Sequence, residues 1–432
     1  MQIILLSGGS GSRLFPLSND VRSKQFIKFF PTQNGDRESM LQRVFKQIRR
    51  TLGNVEITIA TAKSQVSNIK NQLEDQIEIS IEPARRDTFP AILLAVAFLR
   101  DVKKVSLNEA IIVCPIDPYV EDEFFESMKT LDKICNDGIS LLGIEPTYPS
   151  AKYGYIIPAT QDKISRVKMF KEKPDEKTAA RYIRDGALWN AGVFAFKLGW
   201  LLEKFPNRSH AEILADYENL QKISFDYAVV EKEKSIQVLR FSGEWKDLGT
   251  WNTLVEALDT NRIGNAVIDS SCEDVHVINE LSSPILCMGL RDVIVAASSS
   301  GILVTDKKNS SYIKKHVEKF SREVRFAEKS WGSYEVMDVD ESSLTIKVTL
   351  LPNHSMHYHA HEFRSEVWTV ISGHGVCTLD GIDKKISAGD VIEIPIGCKH
   401  SVRADRDSIL KLIEVQCGNE ILVEDKIKFD KF

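Results

Sequence analysis

No C-x-x-C pair occurs among the seven cysteines of this chain, and their number is odd. A disulfide framework is therefore not expected, and reduced thiols point to a cytoplasmic protein. Long apolar runs are missing as well. None approaches the roughly 18 residues that cross a bilayer, so no membrane partner is expected. The opening MQIILLSGGSGSR has no basic segment ahead of its short apolar run, which predicts no secretory leader. A basic excess is also lacking: 56 Lys and Arg stand against 61 Asp and Glu, a net charge of −5. That balance argues against nucleic acid as a partner. Histidine is scarce, nine in 432 residues, yet six of the nine fall between His354 and His400. Such density points to a metal site near the C-terminal end.

What is present has a clear order. At 432 residues the chain exceeds what one hydrophobic core usually serves. The run QIILLS stops at glycines, the pattern of a buried first strand. VEITIA, IEIS, AIIVCPID and ISLLGI are runs of the same kind. Amphipathic stretches such as SMLQRVFKQIRRTL and FPAILLAVAFLRDV lie between them. Strand and helix alternating at this spacing predict a parallel sheet with helices on both faces. From Gly264 the texture changes to short β-type segments, NAVIDS, VHVIN, DVIVAAS and GILVTD, which predict a coiled β connector. YIKKHVEKFSREV predicts a connecting helix. After Trp331 strands punctuated by Gly and Pro predict a small barrel or sandwich. The expected boundaries are 1–262, 263–325 and 326–432.

The strongest motif of the first half is LLSGGSGSRLFPLSNDVRSKQF, with G-x-G-x-R directly after the first strand. It is not a P-loop, because G-x-x-x-x-G-K-[ST] is absent. It is not a dinucleotide fingerprint either, since Leu14 follows Arg13 where a third glycine is needed. A glycine turn of this kind lets backbone N–H groups approach phosphate oxygens. Arg13 and Lys24 add positive charge for a polyphosphate.

This stretch resembles the signature of sugar-phosphate nucleotidyltransferases, especially the bacterial mannose-1-phosphate guanylyltransferases. Phe15 and Ser23 stand where that family has Trp and Pro. EPARRDTFPAI, CPIDPYV, YGYI, FKEKPD, LWNAGVFAF, SFDYAVVE and EWKDLGTW resemble its later segments, in the family's order, over about residues 1 to 320. The resemblance implies an α/β protein with an N-terminal Rossmann-like nucleotidyltransferase sheet and flanking helices. It implies GTP and mannose 1-phosphate as substrates, with Mg²⁺ on Asp117 and Asp247. Leu6, Gly8, Gly9, Gly11, Arg13, Lys24 and Arg86 are then expected at the nucleotide. Gly154, Glu172, Lys173, Asn190 and Asp226 are expected at the sugar phosphate. Such chemistry is mostly alignment and charge neutralisation, which these residue types supply.

In HYHAHEFRSE, residues 357 to 366, alternate positions share one face of a strand, so His357, His359 and His361 can point the same way. HAHEFRSEVWTVISG and GDVIEIPIGCKH together resemble the two cupin motifs, with Asn353 and Ala404 where those motifs have Gly and Asn. That match implies His359, His361, Glu366 and His400 as ligands in a C-terminal all-β cupin barrel beyond a β-helix-like connector. Three imidazoles and a carboxylate suit Zn²⁺, Mn²⁺, Co²⁺, Fe²⁺ or Ni²⁺. A slip by one pair, to His357 and His359, falls outside the motif's range. His354 and His374 read as surface or pocket-rim residues.

A head of the first kind on such a tail resembles the bifunctional mannose-6-phosphate isomerase/mannose-1-phosphate guanylyltransferases. FRSEVW resembles their R-A-E-H-W segment, with Val367 for His. This implies interconversion of mannose 6-phosphate and fructose 6-phosphate, with Arg364 binding phosphate or stabilising an enediolate. In the alternative, the cupin is a non-catalytic binding or assembly module. Cupin edges often pair, which leaves room for a homo-oligomer.

Overall fold

Ile3, Ile4 and Leu5 are fully buried, which makes Gln2–Leu6 a central strand rather than an edge. The computed structural model describes every residue except 10, 11, 20, 74–76, 137, 206, 207, 321–323, 420, 422–424 and 430–432. Gln2–Leu6 runs parallel to both of its neighbours, Glu56–Ala62 and Ala110–Pro115. Glu78–Glu82 extends this side, also in parallel. On the other side the sheet continues through Leu188–Lys197, Ile139–Ile144, Ile236–Phe241, Ile164–Lys171 and Tyr155–Pro158, making nine strands.

The sheet is mixed, and this corrects the expectation of a parallel one. Leu188–Lys197 runs antiparallel to both Ala110–Pro115 and Ile139–Ile144. Tyr155–Pro158 and Ile164–Lys171 form an antiparallel pair at the edge. For this edge pair the physical reason is connection length: the short turn 159–163 brings the chain back antiparallel, whereas a parallel return needs a long crossover. Met40–Leu52 starts at Ser39 with a reciprocal capping box to Gln42. Thr88–Asp101 carries Ile92, Ala95, Val96 and Leu99 into the sheet's main core. Each large side chain buried there stabilises by about 1.5–3 kcal/mol.

By contacts the chain forms two units, residues 1–10 with 23–259, and 11–22 with 260–432. In the second unit, Arg262–Gly264, His276–Asn279 and Val293–Ser298 stack in parallel, and Ala266–Ile268 stacks on Ile285–Cys287. This is a small coil wound around Ala266, Val275, Val277, Cys287 and Val295. Gly264 sits at φ +85°, where a Cβ would lie 1.8 Å from the Asn279 carbonyl oxygen, so only glycine fits the corner. The described residues between 12 and 22 pack within this unit. Ser298 Oγ donates to the Pro16 carbonyl at 2.8 Å, and Arg22 grips Glu280 at 2.8 and 2.9 Å.

The connecting helix expected from YIKKHVEKFSREV is reduced, among the described residues, to the 3₁₀ turn Asn309–Tyr312 and the short helix Lys314–Val317. None of the latter's side chains is buried, and a helix without an apolar stripe gains little from packing. Two sheets of six and five strands follow. In Arg364–Ser372 and Leu410–Gly418, alternate residues point into a shared core that includes Trp368, Val370, Val402 and Leu412.

Candidate active site and candidate metal centre

Pro118–Val120 pairs antiparallel with Trp245–Asp247, with Asp247 opposite Pro118. This short ladder brings Asp117 and Asp247 to one place. Lys24, from the turn Lys24–Phe26, sets its Nζ 2.9 Å from Asp117 Oδ2 and 3.8 Å from Asp247 Oδ1. The carboxylate pair therefore already receives a cation. Both carboxylates border a cleft of ≈190 Å³, together with Tyr153, Gly154, Glu172 and Asn190.

On the far wall, Glu172 is buried and accepts from Lys173 Nζ at 2.6 Å. Lys173 adopts φ +44°, a left-handed conformation that costs on the order of 1–3 kcal/mol in a non-glycine residue. Burial opposes charge on Lys173, but the hydrogen bond and charge of Glu172 outweigh it and raise the ammonium's pKa. Asn190 Nδ2 donates to Asp226 Oδ1 at 2.7 Å. Burial first, then the charge of Glu172, pushes Asp226 up to about 7.

The glycine turn is fixed from behind. Gln25 Nε2 donates to the Ser7 carbonyl at 2.9 Å. Ser23 Oγ donates to the Gly9 carbonyl at 2.6 Å, and Gln65 Nε2 reaches Ser23 Oγ at 2.7 Å. Ser23, Gln25 and Gln65 are buried, so the peptide planes of the turn are held by an internal polar scaffold. Glu82 lies alongside, its Oε1 3.6 Å from where a Cβ on Gly8 would stand. Tyr217 donates its hydroxyl to Glu82 Oε2 at 2.7 Å, and burial raises the carboxyl's pKa.

The second site lies in the barrel. His359, His361 and His400 are buried, and one ring nitrogen of each lies within 4.8 Å of the others. Their Nδ1 atoms meet backbone carbonyls: His357 at 2.7 Å, Asp425 at 3.2 Å and Cys398 at 2.9 Å respectively. Anchoring Nδ1 leaves Nε2 as the ligating atom. Glu366 places Oε1 3.0 Å from His361 Nε2 and Oε2 3.4 Å from His400 Nε2. Trp368 Nε1 donates to Glu366 Oε2 at 3.0 Å. Burial alone would raise Glu366, but His361 and His400 hold it well below the usual carboxylate range. Burial, with Lys426 and His400, lowers His359 to about 2 and keeps it neutral, as ligation requires. His400 Nε2 is buried and makes no hydrogen bond, with only the Glu366 carboxylate in ion-pair range at 3.4 Å among the described residues. An orphaned imidazole nitrogen among two more imidazoles and a carboxylate fits a divalent transition metal.

Residues 2–262, more than half of the chain, match the family described as nucleotidyl transferase. The chain belongs to the nucleotidyl transferase family. Residues 313–431 of this nucleotidyl transferase match the family described as mannose-6-phosphate isomerase C-terminal. The chain is similar to a mannose-1-phosphate guanylyltransferase of Salmonella montevideo, at 29% identity covering 99% of this chain and 98% of the relative. An alginate biosynthesis protein of Pseudomonas aeruginosa is 29% identical, covering 98% and 95%. A Thermus thermophilus crystal structure, described as a mannose-1-phosphate geranyltransferase, matches with a TM-score of 0.62 at 28% identity over 74% of this chain and 98% of that one.

In this nucleotidyl transferase the expected residues fall into three groups. Lys24, Asp117 and Asp247 meet, as do Glu172 with Lys173 and Asn190 with Asp226. Gly154 joins them at the cleft, and Leu6, Gly8 and Gly9 form the strand end and turn. Arg86 instead donates to the Glu218 carbonyl. Arg13 is exposed on the turn Ser12–Leu14, which groups with the second unit, and Gly11 lies outside the described residues. His357 does not share the face of its neighbours. The strand begins only at His359, and His357 is exposed. Arg364 is buried beside Glu366, its Nε 3.4 Å from Oε1. Sequence reasoning missed the Ser23, Gln25 and Gln65 scaffold, because a buried amide carries no periodicity that marks it. It also missed Glu414, buried on the strand opposite Trp368.

Proposed function

We propose that the N-terminal site transfers a guanylyl group from GTP to mannose 1-phosphate, giving GDP-mannose and pyrophosphate. The observation that carries this reading is the meeting of Lys24, Asp117 and Asp247 at a cleft walled by Glu172 and Asn190. A phosphate oxygen of the sugar 1-phosphate attacks the α-phosphorus, and the bond to the β,γ-pyrophosphate breaks. Lys24 neutralises the triphosphate and the departing pyrophosphate. Mg²⁺ on Asp117 and Asp247 would supply further charge on the phosphate oxygens. Lys173 grips the sugar's phosphate, and Glu172 and Asn190 accept and donate at its hydroxyls. Asp226 orients the Asn190 amide. The turn at Gly8 and Gly9 cradles phosphate. Glu82 beside Gly8 offers a carboxylate matched to the adjacent N–H donors of guanine.

In the barrel, the same proposal assigns interconversion of mannose 6-phosphate and fructose 6-phosphate. Zn²⁺, Mn²⁺, Co²⁺, Fe²⁺ or Ni²⁺ on His359, His361, Glu366 and His400 would polarise the sugar carbonyl. Arg364 stabilises the negative charge that develops on the enediolate oxygens. The barrel's product carries phosphate on C6 and the head's substrate carries it on C1, so a phosphomutase must act between them. Seven free cysteines support a cytoplasmic setting.

The test is a screen of the four common nucleoside triphosphates against several sugar 1-phosphates. GTP with mannose 1-phosphate should release pyrophosphate fastest, and only with Mg²⁺ present. A faster second pair would overturn the specificity, and no release from any pair would overturn the transfer. Turnover of fructose 6-phosphate by the metal-loaded chain tests the barrel.

A further inference from the structure

The barrel buries two acids, Glu414 and Asp425, besides the Glu366 of its metal centre. Along Leu410–Gly418 the inward positions are Leu410, Leu412, Glu414 and Gln416. The first two belong to the apolar core, and the last two face a polar end. Glu414 stands at the border, 5% exposed. The neighbouring strand sets the register: Glu366 is opposite Gln416, and Trp368 is opposite Glu414. Glu366 and Glu414 are thus diagonal neighbours on one inner face, a relationship that puts their Cβ atoms within about 7–8 Å.

Other polar groups of this interior are already committed. The three histidines anchor Nδ1 on carbonyls and turn Nε2 to the metal site. Glu366 is held by Trp368 and by two of those histidines. Asp425 accepts the backbone N–H groups of Glu362 and Phe363 at 2.8 and 3.2 Å, a loop-fastening role. Arg364 is turned to Glu366, its Nε 3.4 Å from Oε1. Glu414 accepts a hydrogen bond from Gln416 Nε2 on Oε1 at 2.5 Å, and among the described residues no ion pair reaches it. A carboxyl buried with so little compensation costs stability that an apolar residue there would not.

We propose that Glu414 carries the proton between C2 and C1 during isomerisation, a role that rests on the isomerase reading above. From the open-chain aldose, Glu414 takes the C2 proton, and the C2–H electron pair forms the C1=C2 bond. The C1 oxygen takes a proton from water. The 2-hydroxyl then returns a proton to water as C2=O forms, and Glu414 delivers its proton to C1. No oxidant or reductant is consumed. Lys426, opposite His361 on the adjoining strand, is the rival carrier.

The test uses the full-length, metal-loaded chain and mannose 6-phosphate deuterated at C2. Glu414→Gln should lower both isomerisation and loss of the label from C2, whether to C1 or to water, by roughly 10²–10⁴-fold, the worth of a positioned proton carrier. Metal content and pyrophosphate release from GTP should stay at wild-type levels, and Lys426→Met should lower label loss far less. Wild-type label loss in Glu414→Gln, or loss of metal from it, overturns the role. So does abolition by Lys426→Met alone. Should Glu414→Gln fail to fold, Glu414→Asp decides: a retracted carboxylate must slow label loss, and an unchanged rate overturns the proposal. A wild-type chain that turns over neither hexose phosphate sinks the isomerase reading itself, and the proposal with it.

Discussion

A Cβ on Gly154 would lie 2.5 Å from Glu172 Oε2, so these two residues touch as closely as the backbone allows. The Phe170 ring stands 3.0 Å from the same point. Gly154→Ala must push Glu172 or the ring away, an overpacking that costs about 1–3 kcal/mol. The expected result is a lower Tm and a raised KM for mannose 1-phosphate, with the KM for GTP little changed. Steady-state kinetics with each substrate varied checks it.

Lys24 bridges Asp117 and Asp247, and its removal should leave nucleotidyl transfer crippled. Loss of one preorganised charge at a phosphoryl site costs on the order of 10²–10³-fold in kcat. Asp247→Asn should also raise the Mg²⁺ concentration needed for half-maximal rate. Neither change should alter hexose 6-phosphate turnover. Equal loss of both activities would point to a general folding defect.

Glu82→Gln keeps the shape beside Gly8 and removes the charge. If the carboxylate reads guanine, the KM for GTP rises roughly 10–100-fold, the worth of about 1.5–3 kcal/mol for a charged hydrogen bond. Discrimination between GTP and ATP should narrow accordingly. Unchanged discrimination would remove Glu82 from base recognition.

Asp226 gives stability a pH signature. Its carboxyl titrates at about 7 in the folded chain, above the ordinary value of 3.8, chiefly through burial. The folded state therefore binds a proton that the unfolded chain releases across that window. Its contribution is fully present below about pH 3.8 and is lost as pH rises towards 7. Asp226→Asn should flatten this fall, read as denaturant midpoints collected between pH 4 and 7.5.

His361→Ala should strip the barrel of metal and leave pyrophosphate release intact. His357→Ala, at an exposed position, should change neither. Trp368→Phe removes the N–H that holds Glu366 along with part of a buried ring, and should weaken metal affinity by about 10–100-fold. Metal analysis after dialysis against a weak chelator separates the three.

The elements themselves were legible. Apolar runs such as QIILLS and AIIVCPID became buried strands, and FPAILLAVAFLRDV became a buried helix. Strand direction was less so. Nothing in LWNAGVFAF marks it as antiparallel to both neighbours, because side-chain alternation is the same in either direction. The reading of YIKKHVEKFSREV as a helix failed for want of an apolar stripe to bury. At the metal centre, strand alternation left three histidines equivalent, and the resemblance to the cupin motif favoured His359 and His361 over His357; in the structure the strand begins at His359.

By itself, the sequence determined which segments become strands and helices, where a glycine turn meets positive charge, and which residues repeat at ligand spacing. These follow from local backbone periodicity and from the cost of leaving apolar surface in water. Tertiary structure alone decided that Asp117 meets Asp247, that Asn190 leans on Asp226, that His357 faces outward, and that Glu414 lies inside the barrel. Such meetings depend on register and strand order, set by packing between distant segments that no local spacing encodes.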